Sequence, residues 1–508
     1  MICGGIWTFP EVRKIYGRRR FAYGKSYSIL DKYKNLKTAF VLPTAEELKA
    51  SLSDLSQSEA RNNLGTLFDK DTFVELGAFT KRNFCEYAEA EHDELEGVLC
   101  GYGSVDGRLV YAFAQDGARM RGAMDANHAK KICMLYDMAL KNGAPVVGMF
   151  DCAGADIFEG AAALAAYSRI MKAVSAASGT VPQIAVITGN CIGTMASVAA
   201  MFDFTVKARN ANLYVTSPEF AGSRDSQAPI TAYAAEDRQT AIVYARNLLS
   251  YLPDCAGEGV HMEGTADNLN RMLGNRDFAG DVNAAISAVA DNGIFLEVSH
   301  EFAPVLTTAF STVGGVKCGF LGTSYAIEEG RLTADAARKA ARFVEFCDAF
   351  SIPLVTLVDS MGLTVCDESE NAPFSADLAR LAMAYAKSVN PKVTVILGHA
   401  IGAAFSLLGS KALGADIAYA LDESEIGALS TEVSVAFAWN NLITPDKSRE
   451  DLMNEWRASL ASPVAAASLG EIDDIVSVNE LRVCICSALQ MLAAKSSVRS
   501  RLHNVNPL

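Results

Sequence analysis

The chain has no surplus of positive charge. Its 508 residues carry 45 Lys and Arg against 59 Asp and Glu, a net charge of −14. That balance excludes a general nucleic-acid surface, which needs a basic field to displace condensed counterions. It also has no CxxC pair: the twelve cysteines are scattered, Cys484 and Cys486 being the closest. Neither a zinc ribbon nor a disulfide framework is indicated, no metal site is expected, and reduced thiols in a cytoplasmic protein are the simpler reading. No secretory leader is expected, because MICGGIWTFPEVRKIYGRRR reaches charge before a sustained apolar core forms. Residues 1–44, basic and aromatic, are read as an extension or a misplaced start. One charge-free run, 173–202, is long enough to cross a bilayer. Within it Pro182, Gln183, Gly189, Asn190 and Gly193 break the apolar character into a strand, a turn and a helix start.

What the chain does have is a repeat. Half of the residues are apolar, enough for two packed domains. GRLVYAFAQDGA from Gly107 returns as GVKCGFLGTSYA from Gly315, and APVVGMFDCAG ending at Gly154 returns as IPLVTLVDSMG ending at Gly362, both 208 positions on. VPQIAVITGNCIG from Val181 returns as NPKVTVILGHAIG from Asn390, at 209. In each copy an apolar β-favouring run precedes a glycine-containing turn and an alanine-rich helical stretch, the alternation of βαβ units with buried strands. Residues 128–142 and 336–350 carry apolar positions at helical spacing and predict crossover helices ahead of the Asp151 and Asp359 strands. The expected fold class is α/β, with domains over 45–282 and 283–508.

Four turns lie between a strand and a helix: DCAG (151–154), GNCIG (189–193), DSMG (359–362) and GHAIG (398–402). Such turns leave N–H groups unpaired at a helix start, where they can hold an anion. Adjacent parallel strands would bring two of these turns together in each half, so that two N–H groups could meet one developing oxyanion, as a thioester enolate requires.

The stretch MASVAAMFDFTVKARNANLYVTSPE (195–219) resembles the enoyl-CoA hydratase, or crotonase, pattern, and AAFSLLGSKALGADIAYALDESEIG (403–427) looks like a second copy. Two tandem crotonase-like domains related by an internal repeat are the build of the biotin-dependent carboxyltransferase family. GYGSVDGRLVYAFAQD (101–116), DMALKNGAPVVG (137–148), ARFVEFCDAFSIPLVTLVD (341–359), PKVTVI (391–396) and LGADIAYA (413–420) resemble that family more closely. The resemblance spans roughly residues 60–508.

This resemblance implies an activity. A carboxyl group would pass between carboxybiotin and the α-carbon of a short acyl-CoA, with propionyl-CoA/methylmalonyl-CoA or acetyl-CoA/malonyl-CoA as the pairs. A hydratase places a glutamate about four residues past the first turn glycine; here Ser197 and Ser406 stand there, and neither is a base. The cofactor would supply the proton chemistry and the protein two oxyanion holes. By position, the resemblance assigns thioester-side backbone donors to Ala153 and Gly154 and biotin-side donors to Gly402, Ala403 and Ala404, with Gly193, Thr194, Gly362 and Ser406 binding substrate.

The chain has no Met-Lys-Met biotinyl site and no ATP-grasp candidate, so biotin would arrive on a separate carrier protein. The partner would be a biotin carboxylase or a membrane sodium-pumping decarboxylase subunit, and the chain is expected to form a homo-oligomer. Where the family reads DSGGARIQEG this chain reads DCAGADIFEG, so that Ala153 replaces a glycine and Asp156 an arginine. If that glycine needs positive φ, Ala153 would be strained. His399 abuts the biotin-side turn, whereas Cys152, Cys191 and Cys366 are read as small buried thiols. Two other readings stand beside this one: a crotonase-type hydratase or decarboxylase using Glu219, and a non-catalytic paralogue that scaffolds active subunits.

Overall fold

A computed structural model describes residues 58–82, 95–216, 229–278, 280–365 and 373–495. The chain divides into Met1–Asp54, which lies outside the described residues, and Leu55–Leu508. In the second unit the first half opens with α1 (Glu59–Leu67), β1 (Val74–Leu76), β2 (Val98–Val105) and β3 (Arg108–Gln115). There follow α2 (Ala126–Asn142), β4 (Val146–Cys152), α3 (Ala161–Ala177), β5 (Gln183–Ile192), α4 (Thr194–Ala200), β6 (Phe204–Ala208), β7 (Asn212–Tyr214), β8 (Thr231–Ala235) and α5 (Arg238–Tyr251). The second half starts with α6 (Val282–Val289), β9 (Phe295–Val298), β10 (Leu306–Val313), β11 (Val316–Thr323), α7 (Ala334–Ala349), β12 (Leu354–Ser360) and α8 (Phe374–Lys387). It continues through β13 (Lys392–Ile401), α9 (Ala403–Leu407), β14 (Ile417–Leu421), β15 (Glu425–Gly427), α10 (Thr431–Ser434), α11 (Arg449–Leu460), α12 (Pro463–Ser468), β16 (Asp474–Val476) and α13 (Leu481–Leu492).

Each half builds one sheet. The first runs β1-β2-β3-β4-β5-β6-β8, with β7 pairing the far end of β5; the second runs β9-β10-β11-β12-β13-β14-β16, with β15 on the far end of β13. The repeat is therefore conformational as well as sequential. Val98 pairs Gln115 in the antiparallel β2–β3 ladder, and Leu306 pairs Thr323 in β10–β11. The β4–β5 register shifts between Phe150 and Cys152, and the β12–β13 register shifts between Val358 and Ser360.

The helices follow from apolar spacing and caps. Asp125 caps α2 by accepting the His128 N–H, and Thr333 caps α7 by accepting the Ala336 N–H. Both bury an apolar stripe on the sheets, Ile132, Leu135 and Ala139 in α2 and Ala336, Ala340 and Val344 in α7. The predicted crossover helices thus begin two residues earlier than the spacing alone placed them, at their caps. The charge-free run divides into the end of α3, strand β5 and helix α4. Among the described residues no helix is long and apolar enough to cross a membrane, and every described cysteine is a free thiol.

The halves are packed against each other. Phe204 of β6 meets Phe346 of α7 edge-on, with ring centroids 4.7 Å apart. Tyr244 donates its hydroxyl to the Glu297 carbonyl at 2.6 Å. Arg342 of α7 donates to the carbonyls of Phe202 (2.8 Å) and Asp203 (2.7 Å), just past the end of α4.

Candidate active site

The four turns fall where β4, β5, β12 and β13 end, and an aspartate organises each pair. The carboxylate of Asp151 accepts the Asn190 N–H at 2.8 Å, tying the DCAG turn to the GNCIG turn. In the second half Asp359 accepts the His399 N–H at 2.8 Å and the His399 ring Nδ1–H at 2.9 Å. The carboxylates fit because glycine faces them: a Cβ on Gly189 would lie 2.3 Å from the Asp151 carboxylate, and one on Gly398 would lie 2.6 Å from that of Asp359. Burial raises the pKa of the Asp151 carboxyl above the ordinary carboxylate range; the Asn190 N–H opposes this and neighbouring Asp116 adds to it. These aspartates were not singled out from sequence. The available signal was that the same residue closes the matched strand in both copies.

Backbone bonding sorts the expected donors. Ala153 gives its N–H to the Arg121 carbonyl at 2.9 Å, and Gly402 gives its own to the Gly427 carbonyl at 2.8 Å. Both are therefore spent within the fold, as is the Gly193 N–H, which is held by the Tyr214 carbonyl at 3.0 Å. The N–H groups of Gly154, Thr194, Ala403 and Ala404 make no backbone hydrogen bond outside their own elements, and the last three begin helices, where no intrahelical acceptor exists. Gly154 has φ +130° and Gly362 has φ +107°, whereas Ala153 has no positive φ and carries no strain there. Gly193 (φ 66°, ψ −134°) and Gly402 (φ 57°, ψ −128°) turn the chain into α4 and α9.

The strand ladders set these groups side by side. Cys152 is the register partner of Cys191, and Ser360 that of Ala400, so Gly154 and Thr194 issue from neighbouring strands, as do Gly362 and Ala403. A Cβ on Gly362 would lie 3.3 Å from the Ile401 carbonyl. The halves even share a minor contact: Cys152 Sγ–H donates to the Gly154 carbonyl, and Ser360 Oγ–H to the Gly362 carbonyl, each at 3.3 Å.

The remaining candidates separate clearly. Ser197 and Ser406 are exposed on α4 and α9. Burial pushes the Cys152 thiol up to about 11 and the Cys191 thiol well above its ordinary value, which makes both poor nucleophiles. His399 stacks on Tyr325, centroids 4.5 Å apart, and its hydrogen bond to Asp359 raises its pKa. Asp359 also lines a cavity of about 630 Å³ with Thr323, Leu397, Asp422 and Glu423. Asp156, in place of the family arginine, is buried and paired with Arg82 at 2.8 Å, and the same guanidinium reaches Asp125 at 3.4 Å. The buried Asp156 carboxylate thus has a counter-charge from another segment. Glu219 and Cys366 lie outside the described residues, and among the described residues no cluster has the makings of a metal site.

The carboxyl transferase domain model matches residues 57–223 and 227–505. The chain belongs to the carboxyl transferase family. Within that family it is 34% identical over 477 residues to the methylmalonyl-CoA decarboxylase subunit alpha of Veillonella parvula, covering 88% of this chain and 93% of the relative. It is 31% identical over 494 residues to the carboxyltransferase subunit of propionyl-CoA carboxylase from Haloferax mediterranei, covering 91% and 96%. Its fold matches transcarboxylase 12S, solved with methylmalonyl-CoA and methylmalonic acid bound and described as a hexamer assembly. The TM-score is 0.83 at 28% identity, covering 95% of this chain and 100% of that one.

Proposed function

We propose that this carboxyl transferase family member moves a carboxyl group between carboxybiotin and the α-carbon of a short acyl-CoA. Propionyl-CoA/methylmalonyl-CoA is the favoured pair and acetyl-CoA/malonyl-CoA the alternative. The observation that carries the reading is the duplicated pair of turns, each offering N–H groups without backbone acceptors beside an exposed serine where a hydratase would hold its acid. Gly154 and Thr194 would hold the thioester oxygen as it gains enolate charge, and Ala403 and Ala404 the ureido oxygen of biotin. Biotin, brought by a carrier, would supply the activated carboxyl group and a base for the α-proton; the chain would contribute orientation and charge stabilisation. Residues 45–282 would form the acyl-CoA domain and 283–508 the biotin domain.

The partner set would be a biotin carboxyl carrier protein with either a biotin carboxylase or the membrane subunit of a decarboxylase, in keeping with relatives named as subunits of a carboxylase and of a decarboxylase. The place of action would be the cytoplasm, free or against such a membrane complex. A homo-oligomer would join one chain's acyl-CoA half to another's biotin half. Apolar side chains exposed on both halves support this, Ile157 and Phe158 on one and Phe437 and Leu469 on the other. The direct test is carboxyl exchange from labelled methylmalonyl-CoA to a biotinylated carrier. Transfer that needs both components is expected; a folded sample giving none with any short acyl-CoA would refute the reading.

A further inference from the structure

Behind the first-half turns runs a line of buried polar side chains that the second half does not have. The Asp151 N–H, at the end of β4, donates to Gln115 Oε1 at 3.2 Å. Gln115 Nε2 lies 3.1 Å from His128 Nε2, and His128 Nδ1 lies 3.1 Å from Glu96 Oε1. Glu96 and Gln115 are 2% exposed and His128 0%, so no solvent mediates the chain.

The donors and acceptors can be assigned by elimination. A main-chain N–H can only donate, so Gln115 must turn its oxygen to Asp151 and its amino group to His128. His128 Nε2 must then accept, which leaves the ring's single proton on Nδ1, donated to Glu96. A second proton on His128 would set N–H against N–H at Gln115. The charged groups facing the ring are consistent with one fixed state. Glu96 also accepts the Gly97 N–H at 2.9 Å, and Asp125 accepts the His128 backbone N–H at 2.8 Å and meets Arg82. Burial pushes Asp125 up to about 6, with nearby Glu96 adding to the rise.

The repeat provides an internal control. At the matched place in the second half, the Asp359 N–H donates to Thr323 Oγ1 at 2.9 Å. Ala336 stands where His128 would be and Pro304 where Glu96 would be. The fold therefore closes this strand end with a single hydroxyl, and the longer relay is not a requirement of the architecture. In the first half the relay ends on the residue whose carboxylate also holds the Asn190 N–H, and hence both turns.

We infer that His128, locked as its neutral Nδ1–H tautomer between Glu96 and Gln115, is a positioning residue that fixes Asp151 and through it the Gly154 and Thr194 donors. This rests on the proposed thioester-side role of those turns. The test is a pair of variants. His128→Gln can place its amide oxygen where Nε2 lies and still accept from Gln115; His128→Asn keeps a partner for Glu96 but falls short of Gln115. In carboxyl exchange, His128→Asn is expected to lower kcat by about 10- to 100-fold, the scale of a misplaced catalytic group, with KM for acyl-CoA unchanged. His128→Gln should stay close to wild type. Equal kcat in the two variants, whether high or low, would overturn the proposal. Should His128→Asn not fold, Gln115→Met, which keeps His128 but removes both the Asp151 acceptor and the donor to His128, is expected to show the same kcat loss; full kcat there overturns the proposal. Hydrogen exchange at the Asp151 amide, faster in His128→Asn than in His128→Gln, reads the relay without any assay of transfer. Equal exchange rates refute the relay, whereas a wild-type chain with no carboxyl exchange refutes the function alone.

Discussion

Replacing Thr194 by proline removes one candidate oxyanion donor while asking almost nothing of the fold. Thr194 is the first residue of α4, exposed, and its N–H has no backbone acceptor, so no hydrogen bond is lost. Proline is favoured at the first helical position because its fixed φ suits the helix and its missing N–H is an orphan there. The preceding residue must avoid the helical region, and Gly193 does, at φ 66° and ψ −134°. Stability should therefore stay within about 1 kcal/mol of wild type. Catalysis should not. One oxyanion donor is worth about 2.7–4 kcal/mol in the transition state, or about 10²- to 10³-fold in kcat. The assay is steady-state carboxyl exchange alongside thermal melting, with Thr194→Ala as the control that keeps the N–H and should keep kcat. A Thr194→Pro protein that melts normally and exchanges at the wild-type rate would refute the donor assignment.

Ala403→Pro applies the same change at the first position of α9 and should lower transfer while leaving intact the acyl-CoA binding proposed for the other half, as measured by calorimetry. Glu219→Gln should leave carboxyl exchange essentially unchanged; loss of activity would return the hydratase-type reading. Gly122→Ala should destabilise the chain by more than about 3 kcal/mol, since its Cβ would lie 1.9 Å from the Asp151 carbonyl at φ +66°. Gly257→Ala, at φ +90° with nothing within 4 Å, should cost about 1–2 kcal/mol in denaturant titration. Asp203 is buried and pushed up to about 7 by that burial, against which its hydrogen bond from the Gln183 N–H works. Its folded form holds a proton that the unfolded chain releases near pH 4, so its contribution is full below that and is lost as pH rises towards 7. Melting temperatures of wild type and Asp203→Asn should diverge across that window, wild type falling faster.

The scaffold was legible because its signals are local and doubled. β-favouring runs closed by glycine, helical spacing before Asp151 and Asp359, and near-constant offsets between copies located the strands and crossovers. The division of residues 173–202 followed from Pro182, Gln183, Gly189, Asn190 and Gly193. Which N–H groups remain available was not legible, because it depends on carbonyls remote in sequence: Arg121 takes the Ala153 N–H and Gly427 that of Gly402. The Arg82–Asp156 pair was hidden for the same reason, with 74 positions between the partners. A changed residue type marked Asp156 as unusual, but only the fold supplied its counter-charge.

Arg342 gives the duplication a direction. It sits in the second copy and holds the carbonyls of Phe202 and Asp203, just past the helix that opens with Thr194 in the first. A chain severed between α5 and α6 would yield a first half in which the segment following that helix has lost its arginine donor, even with every loop residue intact. The two copies are thus no longer interchangeable modules: one has become the foundation on which the other's chemistry is mounted. Swapping or transplanting the first half between relatives would then require moving the arginine-bearing helix with it.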